Sequence, residues 1–157
     1  MIASPDLREG IPIPAFGITI PWLISQGDLF RLIPEDKFQI ALCGGPSMLR
    51  FELLGFKALF WFNFVTHPDG QLIEVQFRND KPRARNRTYR KAAVALVKSL
   101  GKPNMVDQMR LGQQTWLIDD VRVTNSMTES HPIPGSPRKK RSHHFSVWFC
   151  RDAWRYG

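Results

Sequence analysis

Leu100-Gly101-Lys102-Pro103, followed after a polar connection by Thr115-Trp116-Leu117-Ile118, decides how this chain is read. Glycine supplies the left-handed residue that closes a helix, and a proline two positions later forbids its continuation. Upstream, Tyr89, Ala93, Leu96 and Leu100 recur at helical spacing, with Lys91 and Lys98 away from that stripe and Asn86 or Thr88 available as a cap. The stretch 88–118 is therefore expected to be a helix that ends abruptly and returns as a Trp-bearing strand. It carries no reactive group, so it points to an architecture and not to a chemistry.

Working outward, the period changes from helical to alternating. Phe38, Ile40 and Leu42, then Leu49, Phe51 and Leu53, alternate with more polar residues on either side of Gly44-Gly45-Pro46, which reads as two antiparallel strands. Residues 57–66 place Phe60, Phe62 and Phe64 on one face and Leu59, Trp61 and Val65 on the other. A strand apolar on both faces is expected to be central, covered on both sides or covered on one by a partner. After the turn chemistry of His67-Pro68-Asp69-Gly70, Ile73, Val75 and Phe77 are expected to face inward, and Leu72, Glu74, Gln76 and Arg78 outward. Beyond the helix, Trp116 and Ile118, Val121 and Val123, and Phe145, Val147 and Phe149 mark three more strands. Near the start, 15–20 can form a short strand, and Ser25-Gln26-Gly27-Asp28 opens a short helix with Leu29, Leu32 and Ile33 as its stripe before Pro34 stops it.

The expectation is an α+β fold: one antiparallel sheet of about six to seven strands with two helices packed on one face. The 157 residues form a single domain, with 1–14 as an extended lead-in and 131–142 as a Pro-rich basic loop. Phe16-Gly17-Ile18, the helix near 28–33, the Asp69-Gly70 hairpin and Leu100-Gly101-Lys102-Pro103 followed by Trp116 resemble the small bacterial immunity and inhibitor proteins of the β-lactamase inhibitory protein type. That type is built from tandem helix-plus-meander units. The resemblance implies a non-catalytic protein that binds and blocks another protein; it carries over no individual site residue.

Charge narrows the partner. The net formal charge is +8, yet it is unevenly placed: Lys81, Arg83, Arg85, Arg87, Arg90 and Lys91 form one cluster, and Arg138, Lys139, Lys140 and Arg141 another. Apart from these, the chain has 12 basic against 14 acidic residues. A field concentrated in two short segments is aimed at an anionic partner. Read as extended backbone, Lys81, Arg83, Arg85 and Arg87 would project as one row, suited to an acidic groove or a phosphate backbone. Trp61 and Trp148 are candidate hot spots on an open sheet face. The leading expectation is an acidic protein partner, a toxin or enzyme neutralised by complex formation. The alternative is a nucleic-acid-binding module using 81–91 and 138–141, although no aromatic residues interleave the second run to stack on bases.

Other chemistries find little footing. Cys43 and Cys150 lack metal-ligand spacing and read as buried thiols, and the adjacent His143 and His144 point to opposite faces of a strand and cannot share a metal. Cys43 with His67 or His143 as base is the one imaginable nucleophile pair, and Asp119-Asp120 reads as a hairpin tip. Gly44-Gly45-Pro46 lacks the Lys and Ser/Thr of a phosphate loop, and no cofactor is expected. No apolar run approaches the roughly 20 residues of a membrane span, and the first residues lack a secretory pattern, so a cytoplasmic location is expected.

Overall fold

In the computed structural model, which describes residues 6–40, 46–64, 70–108, 112–130, 134–135 and 140–149, the chain opens with a small hairpin. Strands β1 (Gly10–Ile13) and β2 (Ile18–Pro21) pair antiparallel about a 3-10 turn over Pro14–Phe16, closed by Gly17 at φ 63°. Of the lead-in expected over 1–14, residues 1–5 lie outside the described residues, Leu7–Glu9 form a turn and Gly10–Ile13 are extended, and the segment is part of the core: Leu7, Ile11 and Ile13 are buried, and Trp22 Nε1 donates to the Leu7 carbonyl at 2.8 Å. At Gly10 the two strands approach so closely that a Cβ would collide with the Ile20 carbonyl.

Helix α1 (Gln26–Leu32) begins where Ser25 Oγ accepts the Asp28 N–H at 3.1 Å. Leu29 and Ile33 are buried, whereas Leu32 is exposed and Phe30 turns inward instead, its ring 5.2 Å from that of Phe38. Pro34 starts a short 3-10 turn and ends the helix.

The main sheet has eight strands in the order β3-β4-β5-β6-β10-β9-β8-β7. In chain order these are β3 (Gln39–Ile40), β4 (Pro46–Leu53), β5 (Phe56–Phe64), β6 (Leu72–Asn79), then helix α2 (Arg85–Leu100), then β7 (Met105–Asp107), β8 (Gln113–Ile118), β9 (Val121–Ser130) and β10 (Lys140–Phe149). Every neighbouring pair is antiparallel. Two four-stranded meanders, each preceded by a helix, thus meet along their last strands.

The architecture is α+β and antiparallel, with two differences in count. The strand expected at 15–20 belongs to the separate hairpin, and β7 is an additional edge strand whose three residues are too few to show alternation. Strands β9 and β10 are also longer than their apolar residues suggest. Thr124, Ser126 and Thr128 occupy the face of β9 turned away from α2 and Asn125 is buried on the other, so hydrophobic patterning underestimates a strand that cross-strand bonds extend, such as Thr124 Oγ1 to Ser146 Oγ at 2.7 Å.

Alternation sorts the two faces. Phe60, Phe62, Val75, Phe145, Val147 and Val123 face the core, where Phe56, Phe60, Phe77 and Phe145 pack edge to face. Leu72 was expected outside and is buried. A register shift between Asn63 and Phe64 sets Leu72 opposite Phe64 while Glu74 stays opposite Asn63, which turns the start of β6 inward.

Helix α2 packs across β10, β9 and β5, burying Ala92 and Leu96. It ends as its sequence demands. Gly101 adopts φ 81° and its N–H returns to the Val97 carbonyl at 2.9 Å, while the Gly101 carbonyl accepts Trp116 Nε1 at 2.9 Å. Asn104 continues the stitching, donating its backbone N–H to the Thr115 carbonyl and accepting the Leu117 N–H at its Oδ1. The buried indole of Trp116 therefore anchors the helix end to β8 through both packing and a satisfied polar tip.

Candidate functional site

The first basic cluster is not an extended row. Lys81 lies in a turn, where its N–H is accepted by Asn79 Oδ1 at 3.0 Å and its carbonyl accepts the N–H groups of Ala84 and Arg85, and α2 starts at Arg85 rather than near Thr88. On a helix, residues two apart diverge by roughly 200°. Arg85 accordingly leaves the row: it is half-buried, with its Nε enclosed and unpaired among the described residues. Arg83 is exposed in the preceding turn, and Arg87, Arg90 and Lys91 are exposed on the helix. The alignment that replaces the row follows helical spacing, from Arg87 through Arg90 and Lys91 to Val94 and Lys98.

None of Arg83, Arg85, Arg87, Arg90 or Lys91 forms an ion pair with a described residue. From position 81 to 106 the chain holds eight basic residues and no acidic one. The first turn of α2 contains Arg85 and Arg87, no acidic residue and no side-chain cap, because Ala84 occupies the N-cap. Cations at that end oppose the helix dipole.

Beside this stripe, α2 and the turn between β4 and β5 enclose an open groove of about 590 Å³. Gly55, Phe56, Val94 and Ala95 form its apolar part, and Lys57, Arg90, Lys91 and Lys98 its basic part.

The second basic cluster is different in kind. Arg138 and Lys139 lie outside the described residues. Lys140 and Arg141 belong to β10 and not to the preceding loop, and both are paired: Lys140 Nζ lies 2.6 Å from Asp80 Oδ2 and Arg141 Nε 3.2 Å from Glu129 Oε1. The Lys140 hydrogen bond and charge hold the Asp80 carboxyl below the usual carboxylate range. This pair of cations is answered by the chain's own acids.

Trp61 and Trp148 do lie on the sheet face turned away from the helices. One cross-strand row there runs Met48, Trp61, Gln76, Ser146, Thr124, Thr115 and Met105, and the next runs Asn63, Glu74, Trp148, Arg122 and Leu117. Trp148 is 42% exposed and Trp61 half-buried. Asn63 Nδ2 donates to Glu74 Oε2 at 2.9 Å, which partly offsets the upward push of burial on the Glu74 carboxyl. A depression of about 690 Å³ near the β7 edge, lined by Met105, Asp107, Thr115 and Arg122 among others, is mixed in charge. The tryptophans and the α2 cations thus stand on opposite sides of the sheet, so the structure does not bring them into one site.

The histidines point to opposite faces. His144 opens away from α2, opposite Arg78 and Ser126, with its imidazole pKa lowered first by burial and then by Arg78. His143 is fully buried beneath α2, a position that adjacency alone did not reveal. Its Nδ1 lies 2.9 Å from Thr88 Oγ1 and its Nε2 2.6 Å from Asn125 Oδ1. Asn125 Nδ2 in turn donates to Gln114 Oε1 and to the Tyr89 carbonyl. An amide oxygen only accepts, so Nε2 carries the proton in the neutral form, and the single Thr88 hydroxyl proton has two acceptors within reach, the Arg85 carbonyl at 3.0 Å and Nδ1. Desolvation, with a smaller repulsion from His144, lowers the His143 pKa to about 4. The group is a tie between helix and sheet.

Cys43, Cys150 and His67 lie outside the described residues. Among the described residues no three His, Cys, Asp or Glu side chains are grouped to hold a metal, and no helix is long and apolar enough to cross a membrane. Asp119-Asp120 forms the β8–β9 hairpin tip, with Asp119 at φ 50° and 3.2 Å from Arg8 Nε. Compared with protein families, characterised proteins and solved structures, the chain matches none.

Proposed function

We propose that this protein is a non-catalytic binding protein of the immunity or inhibitor kind, which neutralises a bacterial toxin or enzyme by complex formation and holds it through an acidic surface. The observation that carries the reading is the outer side of α2 and the turn before it: Arg83 in the turn and Arg87, Arg90 and Lys91 on the helix are exposed, form no ion pair with a described residue, and are set in a stretch of eight cations without an acid. Natural sequences depart from local rules chiefly where function requires it, and two arginines in an uncapped first turn are such a departure. Two helix-led meanders in tandem support the inhibitor-type reading.

Binding through nucleic acid is the competing reading, and two features weigh against it. Tyr89, which precedes Arg90 on α2, is engaged with the Gly112 carbonyl at 2.6 Å, Phe56 is buried at the base of the groove, and Lys140 and Arg141 are already paired. No stacking platform accompanies the charge. The test is fluorescence anisotropy with a capped Asp/Glu peptide and with nonspecific duplex and single-stranded DNA, at low and moderate salt. Salt-sensitive peptide binding that Arg90→Glu/Lys91→Glu reduces by roughly 100-fold supports the proposal, since reversing two charges replaces attraction with repulsion. Tighter binding to DNA than to peptide transfers the function to nucleic acid, and binding to neither removes the cationic surface from the account.

A further inference from the structure

Val94 is 71% exposed in the middle of the cationic stripe of α2. A solvated helix face gains nothing from a β-branched apolar residue there, since valine has a weaker helix propensity than alanine or lysine. The position makes sense as one wall of the groove. Phe56, 6% exposed, lies recessed within it, and the small residues Gly55 and Ala95 leave the hollow open. A Cβ placed on Gly55 would reach 3.6 Å from that of Ala95, so side chains of ordinary size at these positions would begin to fill the space. Arg90, Lys91 and Lys98 surround the apolar centre.

We propose that this groove receives one bulky apolar side chain, leucine or phenylalanine, carried between carboxylates on an acidic segment of the protein partner. The inference rests on the reading of α2 as the surface for an acidic partner and adds the anchor that charge alone does not supply. A cation-rimmed recess repels basic segments and leaves its rim uncompensated around a neutral one, whereas flanking carboxylates answer the rim while the apolar side chain is withdrawn from water. Such an apolar centre ringed by polar contacts is how binding energy concentrates in protein interfaces. A lipid surface fits less well: a flat bilayer rewards protruding apolar groups, and Phe56 is set back.

The experiment compares two short capped Asp/Glu peptides, one with a central Leu and one with Ser in its place, by anisotropy at moderate salt, alongside phosphatidylglycerol vesicles. The Leu peptide is expected to bind roughly tenfold tighter than the Ser peptide. Val94→Ser, a change on an exposed site, should bring that ratio close to one while leaving the Ser peptide's affinity and salt dependence intact, and Val94→Leu should retain the preference. Equal affinities of the two peptides for the unaltered protein overturn the groove and leave the cationic surface standing. Binding of neither peptide overturns both. A preference for the vesicles, lost in Val94→Ser, overturns the peptide occupant.

Discussion

The two sides of the main sheet differ in how they handle charge. On the side away from the helices, charged groups of both signs are interleaved with polar and aromatic ones: Glu74 takes a hydrogen bond from Asn63, and Trp148 sits between Glu74 and Arg122, whose Nε is enclosed without a hydrogen-bond partner among the described residues. On the helix side, the outer surface of α2 carries cations that no described residue neutralises. The first arrangement mixes the two signs within one cross-strand row, so little net field leaves it. The second concentrates a field and leaves it unanswered, which is useful only to a molecule that meets an anion. Aromatic surface and positive charge, both in excess in this chain, are therefore placed back to back.

The comparison depends on α2 being held rigidly on the sheet, and His143 is the polar part of that hold. His143→Ala is expected to have the largest effect, about 3 kcal/mol of destabilisation in urea unfolding, because it opens a cavity and removes the donor that satisfies the buried Asn125 Oδ1. His143→Gln, which can still accept from one neighbour and donate to the other, should recover part of the loss. The same group makes stability acid-sensitive. Its folded-state pKa, about 4, lies below the ordinary 6.5, so between those values the unfolded chain binds the proton and the folded one does not. Stability is full above pH 6.5 and falls as the pH drops toward 4, by about 3 kcal/mol at roughly 1.4 kcal/mol per pH unit. Urea midpoints measured across this window should slope in the unaltered protein and flatten in His143→Gln. An equal slope in both would detach the acid response from the helix-to-sheet tie.

Most of the fold was legible because apolar alternation reports burial directly. Phe60 and Phe62 on β5, Val75 and Phe77 on β6, and Phe145 and Val147 on β10 all face the core as their spacing implies. Gly101 and Pro103 ended α2 where expected. Leu72 was misplaced because a bulge inverts facing without leaving a mark in composition, and β7 was missed because an edge strand of three residues owes its existence to its neighbour. The charged segment was the least legible part. Lys81, Arg83, Arg85 and Arg87 alternate like a strand, yet the helix extends back to Arg85, so tertiary packing of Ala92 and Leu96 overrides both the poor cap and the unfavourable dipole. The polar link from Thr88 through His143 to Asn125 joins three distant positions, and nothing local in sequence announces it.

Two smaller effects sharpen the contrast between the sides. Trp148→Thr removes a part-exposed ring and substitutes a good strand former, and a stability change within about 1 kcal/mol is expected. Its affinity for the acidic peptide should equal that of the unaltered protein. A loss of tenfold or more would place the partner on the open face, across the sheet from the cations.

Arg87→Glu should give the smallest change in stability and the most telling sign. Position 87 is the third residue of α2, where a carboxylate interacts favourably with the helix dipole and the present arginine opposes it. The variant is therefore expected to be more stable by about 0.5 kcal/mol, seen as a higher urea midpoint with an unchanged slope. It should at the same time bind the acidic peptide more weakly and with a shallower salt dependence. A gain in stability joined to a loss of binding is the signature of a charge kept for a partner at the expense of the fold. Were Arg87→Glu to lose stability, the arginine would be holding the helix start through contacts of its own, and the unanswered charge on α2 would count as structure and not as a docking field.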